Sequence, residues 1–201
     1  MAERTILFVG MRNGLAVYRV YTTGAGTRSL EQIGQAFAGH TIRAITATDA
    51  ETLVVALTDM PPQQSFDGGQ TWLPSGGTGP DIVEPHLAMT VHGPTPLANP
   101  RLRGATAHAL LPTRPPILLG AGAGGMIIFQ SNDDGIHWQP AQIVDGPAGL
   151  VTTLVPDPNH PNTAWAGTDS GALLRSGDQG RTWYIVVRES SSITCLAGVA
   201  E

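Results

Sequence analysis

The 201-residue chain contains no lysine; all 11 of its basic residues are arginine. Without lysine there can be no phosphate-binding loop of the Gly-Lys-Ser type. Only 13% of residues are charged and the net charge is -5, which argues against nucleic acid, whose binding needs a concentrated basic surface. One cysteine, Cys195, excludes a disulfide framework within the chain. No apolar run approaches the ~20 residues of a membrane helix, and Met1-Ala2-Glu3-Arg4 lacks the layout of a secretory signal. These absences lead us to expect a reduced, cytoplasmic protein that binds neither nucleic acid nor membrane.

Glycine and proline are abundant instead. The 25 glycines and 16 prolines make up close to a fifth of the chain, without a collagen-like period. That composition suits many short strands joined by tight turns.

A short pattern occurs three times. It reads Ser65-x-Asp67-x-Gly69-x-Thr71-Trp72, Ser131-x-Asp133-x-Gly135-x-His137-Trp138 and Ser176-x-Asp178-x-Gly180-x-Thr182-Trp183, and it uses three of the four tryptophans. The chemistry of the pattern is that of a hairpin turn. Asp accepts backbone N–H groups, Ser supports the same turn, Gly supplies a positive φ and Trp opens the next strand by burying its ring.

Upstream of these boxes, apolar runs carry a small residue at positions 10, 56, 120 and 167, spaced by 46, 64 and 47 residues. A period in the forties with about four strands per unit is the signature of a propeller blade. A further strand precedes three of the units, at residues 41–46, 105–111 and 150–155. The first unit has none before residue 5, and residues 192–197 supply the missing one. The predicted fold is therefore an all-β propeller of four four-stranded blades, one domain over residues 1–201, closed by the last strand joining the first blade. Closure between two chains in a shared eight-bladed ring is the alternative, which would make the protein a homodimer.

The repeated boxes resemble those of the Asp-box, or BNR-repeat, propellers, over essentially residues 5–198. That group includes sialidases, xyloglucan-cleaving glycosidases, sortilin-type receptors and photosystem II assembly factors. The resemblance implies that the box positions Ser65, Asp67, Gly69, Trp72, Ser131, Asp133, Gly135, Trp138, Ser176, Asp178, Gly180 and Trp183 are structural turns away from the active face.

Sialidase chemistry would need an arginine triad and a Tyr nucleophile. Tyr18, Tyr21 and Tyr184 all sit among packing residues, and no Arg-Ile-Pro motif is present. Asp59, Asp81, Glu84 and Asp169 are loop acids that could form a glycosidase pair, though turn formation accounts for them. The six histidines (His40, His86, His92, His108, His137 and His160) show no short metal-ligand spacing, and no metal or cofactor is expected. Counting back from strand ends aligns His108 with Thr152 and Thr194.

The turns joining second to third strands, together with the links between blades, share the side opposite the boxes. The inter-blade stretch 73–104 opens there with six prolines. The expected ligand-binding residues are Arg12, Asn13, Asp59, His86, His92, Arg101, Arg103 and Asp169. The expected function is a non-catalytic scaffold or assembly module that binds a protein or small ligand. A carbohydrate-active protein, either a lectin or a sialidase-like glycosidase, is the alternative.

Overall fold

The computed structural model describes residues 4–22, 28–76 and 105–201. The described chain is all-β, with a single turn of 3-10 helix at Ala123–Gly125 and seventeen strands, numbered here in chain order. They form four sheets of four or five strands, as a propeller requires, in two compact units: Met1–Pro85 with Thr194–Glu201, and His86–Ile193.

The first unit holds two sheets. Sheet I contains β1 (Arg4–Met11), β2 (Gly14–Thr22), β3 (Arg28–Ala36) and β17 (Ile193–Ala200), in the order β17-β1-β2-β3. The strand at the end of the chain therefore pairs with the first, as the repeat arithmetic predicts, and Glu201 N donates to Arg4 O at 2.9 Å. Sheet II runs β4 (Ile42–Ala47), β5 (Leu53–Leu57), β6 (Gln63–Ser65) and β7 (Leu73–Pro74) in simple succession.

The second unit holds sheet III, made of β8 (Ala107–Leu111), β9 (Ile117–Gly122), β10 (Ile127–Ser131) and β11 (Gln139–Pro140). It also holds sheet IV, made of β13 (Val151–Pro156), β14 (Ala164–Thr168), β15 (Ala172–Ser176) and β16 (Thr182–Arg188). Sheet IV gains a fifth strand that the repeat does not predict. β12 (Gln142–Ile143) leaves sheet III and pairs parallel with the outer edge of β16.

The second strand of each sheet is buried along both faces: every residue of β5, β9 and β14, and all of β1 after Arg4. Such a strand has neighbours above and below, so its sequence is a continuous apolar run rather than an alternation. The repeated small residue follows from this. A Cβ built on Gly10 would stand 2.5 Å from Cys195 Sγ and 2.8 Å from Ile42 Cγ2. One on Gly167 would collide with the side chains of Ile193 and Thr153. In each case the partners are the paired inner strand of the same sheet and the first residue of the next inner strand. The small residue is the gap into which an isoleucine of the adjoining strand inserts.

Hydroxyl groups tie the inner strands together at their starts. Thr194 Oγ1 donates to Ile42 O at 2.6 Å in the first unit. In the second unit Thr152 Oγ1 donates to Ile193 O at 2.7 Å and Thr106 Oγ1 to Val151 O at 2.5 Å. His108 does not share this position. It faces Gly120 across the ladder, as Thr153 faces Gly167 and Ala44 faces Ala56. Register shifts between Val151 and Thr153, and between Ile42 and Ala44, displace the alignment by one residue.

Candidate functional site

The three boxes fold into turns with the same hydrogen-bond pattern. In the third, Ser176 Oγ donates to Asp178 Oδ1 at 2.8 Å and accepts Gly180 N–H at 2.9 Å. Asp178 accepts Thr182 N–H at Oδ1 and Thr182 Oγ1–H at Oδ2, and Trp183 Nε1 donates to Gly180 O at 3.0 Å. The first box repeats this pattern through Ser65, Asp67, Gly69, Thr71 and Trp72. In the second, the His137 ring takes the place of the Thr hydroxyl, 2.6 Å from Asp133 Oδ2. The box glycines have φ of 90°, 83° and 85°, a region that a side chain strains.

These bonds favour the ionised carboxylates. Thr71 hydroxyl and backbone donors pull Asp67 down to about 2, and the backbone and ring of His137 pull Asp133 down to about 2. Burial pushes Asp178 up, but donors from Thr182 and Ser176 outweigh it and its pKa is also lowered. Trp183 is fully buried and Trp138 nearly so. Trp72 is half-buried and meets Phe37 edge-on, with ring centroids 4.6 Å apart.

The first and third boxes lean on the first turns of their own sheets. Gly68 N donates to Glu51 O at 2.9 Å, and Gln179 N donates to Asn162 O at 2.9 Å. First and third turns therefore share a side in sheets II and IV. In the first unit this side opens into a cleft of about 750 Å³ between sheet I and the box turn of sheet II. Its lining includes Ile6, Val17, Gly34 and Gln35 on one wall, and Glu51, Phe66 and Gly68 on the other. Arg19 and Glu201 stand in it as a two-pronged ion pair at 2.9–3.2 Å.

The described members of the set expected to bind ligand, Arg12, Asn13, Asp59 and Asp169, lie on second-to-third-strand turns and act chiefly as clamps. Asn13 Oδ1 accepts Gly39 N–H at 2.8 Å, and Asp59 Oδ2 stands 2.8 Å from His40 Nδ1. Both therefore converge on the link before β4, where Arg12 O also accepts Thr41 Oγ1–H. Asp169 performs the equivalent task in the second unit, accepting Leu150 N–H at 2.7 Å. Of this set, Arg12 keeps its exposed side chain clear of any hydrogen bond described for it. His86, His92, Arg101 and Arg103, with most of the stretch 73–104, lie outside the described residues.

Beside the Asp169 clamp is a second concavity, of about 430 Å³ and largely apolar, lined by Met126, Ile127, Ile143, Pro147 and Leu150. Sequence reasoning also passed over Asp157. Its buried carboxylate holds Trp165 Nε1 at 3.2 Å and Asn159 N at 3.0 Å, and the surrounding Pro156-Asp157-Pro158 run was the available signal. Among the described residues no three histidine, cysteine or acidic side chains gather as a metal site, and no helix is long and apolar enough to cross a membrane.

No protein-family model matches the sequence, and no curated protein matches it. Solved structures do. YCF48 bound to a D1 peptide is 18% identical, with a TM-score of 0.34, over 77% of this chain and 43% of that one. A GH74 enzyme from Niastella koreensis is 17% identical, with a TM-score of 0.36, over 95% of this chain and 25% of that one. YCF48 from Cyanidioschyzon merolae is 17% identical, with a TM-score of 0.33, over 75% and 38%. The chain thus spans less than half the length of each of these proteins.

Proposed function

We propose that this chain is a non-catalytic propeller module of the Asp-box type that binds a protein partner in the cytoplasm. The observation that carries this reading is the state of its carboxylates. Acid–base cleavage of a glycoside needs one carboxyl held protonated near neutral pH. Among the described residues, Asp49, Asp67, Asp133 and Asp178 have displaced pKa values, and all four are displaced downwards by turn hydrogen bonds. Of the four loop acids of the glycosidase alternative, Asp59 and Asp169 are engaged by His40 and Leu150, and Asp81 and Glu84 lie outside the described residues.

On this reading the four sheets are the blades of one propeller domain, closed into a ring within a single chain. Two features support closure: β17 in the sheet of β1, and the hydroxyl-to-carbonyl bonds of Thr106, Thr152 and Thr194 at three of the inner-strand junctions.

Two assays run side by side test the function. Sialyllactose and xyloglucan oligosaccharides are titrated calorimetrically and assayed for released sialic acid and reducing ends, while the purified chain is crosslinked to partners in its native lysate. The expected outcome is no sugar turnover and a captured protein whose purified form binds saturably. Turnover of either glycan would overturn the reading.

A further inference from the structure

The outer edges of the four sheets are not alike. In sheets II and III the outermost strands, β7 and β11, are two residues long and each contains a proline, Pro74 and Pro140. Short proline-bearing edges offer little backbone for another chain to pair with. In sheet IV the edge of β16 is already covered, because β12 adds to it in parallel: Gln142 N donates to Arg181 O at 2.9 Å and Val144 N to Trp183 O at 3.0 Å. The scaffold therefore accepts an extra extended segment at an outer edge.

Sheet I differs from all three. Its outermost strand, β3, runs nine residues without a proline, and no described strand pairs with its outer side. The strand borders the 750 Å³ cleft through Ile33, Gly34 and Gln35, and Ile33 is 40% exposed. Every second side chain of a segment paired to β3 would turn towards the cleft face.

The charges around the cleft select that segment. Three acids and one base line it: Glu51, Asp67 and Glu201 against Arg19. Arg19 is consumed by Glu201, and the Asp67 oxygens by the box turn. Glu51 is exposed, and its carboxylate makes no described hydrogen bond or ion pair. Apolar Phe66, 60% exposed, stands in the same wall.

We propose that the partner is an extended protein segment that adds as a strand to β3 and places a basic side chain, flanked by apolar ones, in the cleft against Glu51. This inference rests on the protein-binding reading above and specifies its surface.

The probe is a fluorescein-labelled peptide, acetyl-Ser-Val-Thr-Val-Arg-Val-Thr-Ser-amide, titrated against the full chain by anisotropy, with hydrogen exchange recorded on the complex. The expected result is saturable binding that slows amide exchange within residues 28–36. It should weaken at least tenfold when alternate peptide nitrogens are methylated or when the peptide Arg is replaced by Glu. In the Glu51→Arg variant, the Glu peptide should become the tighter ligand. Equal binding of the Arg and Glu peptides, an unaffected N-methylated peptide, no binding, or protection confined to residues 126–128 and 143–150 would each overturn the proposal. A protein partner captured from lysate and bound at that other surface would leave the broader reading standing while this one failed.

Discussion

Gly10 and Cys195 face one another so closely that a Cβ on the glycine would stand 2.5 Å from the cysteine sulfur. The pair shows why the repeat keeps a small residue at the same place in each unit. The sulfur is buried, which pushes its thiol up to about 12, so it serves as packing volume rather than as a nucleophile. Gly10→Ala is expected to lower stability by about 1–3 kcal/mol through overpacking. Gly34→Ala, whose nearest neighbour would be Val17 at an ordinary 3.6 Å, is expected to be neutral or slightly stabilising. Urea unfolding of both variants checks this, and equal effects would contradict the packing account.

Removing the acceptor at the centre of the third box should be costly. Asp178→Ala leaves the Thr182 and Ser176 donors without their partner beneath a fully buried Trp183, at about 1–3 kcal/mol. Asp67→Ala should cost less, because its turn is more exposed and Trp72 only half-buried. Thermal unfolding of the two variants measures the order, and the reverse ranking would contradict it.

The boxes also set the acid limit of the fold. Asp67 and Asp133 are held at about 2, below the ~3.9 of an unfolded Asp. A depressed folded-state pKa gives stability that is present in full above the unfolded value and is lost as pH falls through the folded one. The melting temperature should therefore decline between about pH 4 and pH 2, and the Asp67→Asn/Asp133→Asn variant should show a shallower decline. A flat profile for the unmodified chain over that range would rule out this origin.

The joint between β17 and β1 predicts a further loss. Deleting residues 192–201 removes Cys195 from beneath Gly10, the Thr194 bond to Ile42 and the inner strand of sheet I, exposing Ile6, Phe8 and the edge of β1. The truncated chain should be insoluble or melt far below the full one. Cooperative melting at an unchanged temperature would contradict the joint.

Local chemistry was legible in the sequence and long-range pairing was not. Ser176, Asp178, Gly180 and Trp183 announce their turn because every bond in it spans four residues or fewer. The strand that completes sheet I was readable only because the repeat left a gap to fill. No such count reveals β12, a two-residue strand whose partner lies forty residues on. The extra residue at Thr152 shifts register without altering composition, so counting from strand ends sets His108 beside Thr152 rather than Thr153. Asn13, Asp59 and Asp169 read as free loop polar groups because their partners, Gly39, His40 and Leu150, lie nineteen or more residues away. The cleft arises from the packing of one sheet against the next sheet's box, and no single stretch of sequence encodes it.

That one chain closes its own ring is the claim on which the scaffold depends, and light scattering on a dilution series down to low micromolar concentration tests it most directly. The account predicts a single species near 21.0 kDa that keeps its β-sheet circular dichroism throughout. A species of twice that mass that loses its fold whenever it dissociates would contradict it and establish a ring shared by two chains.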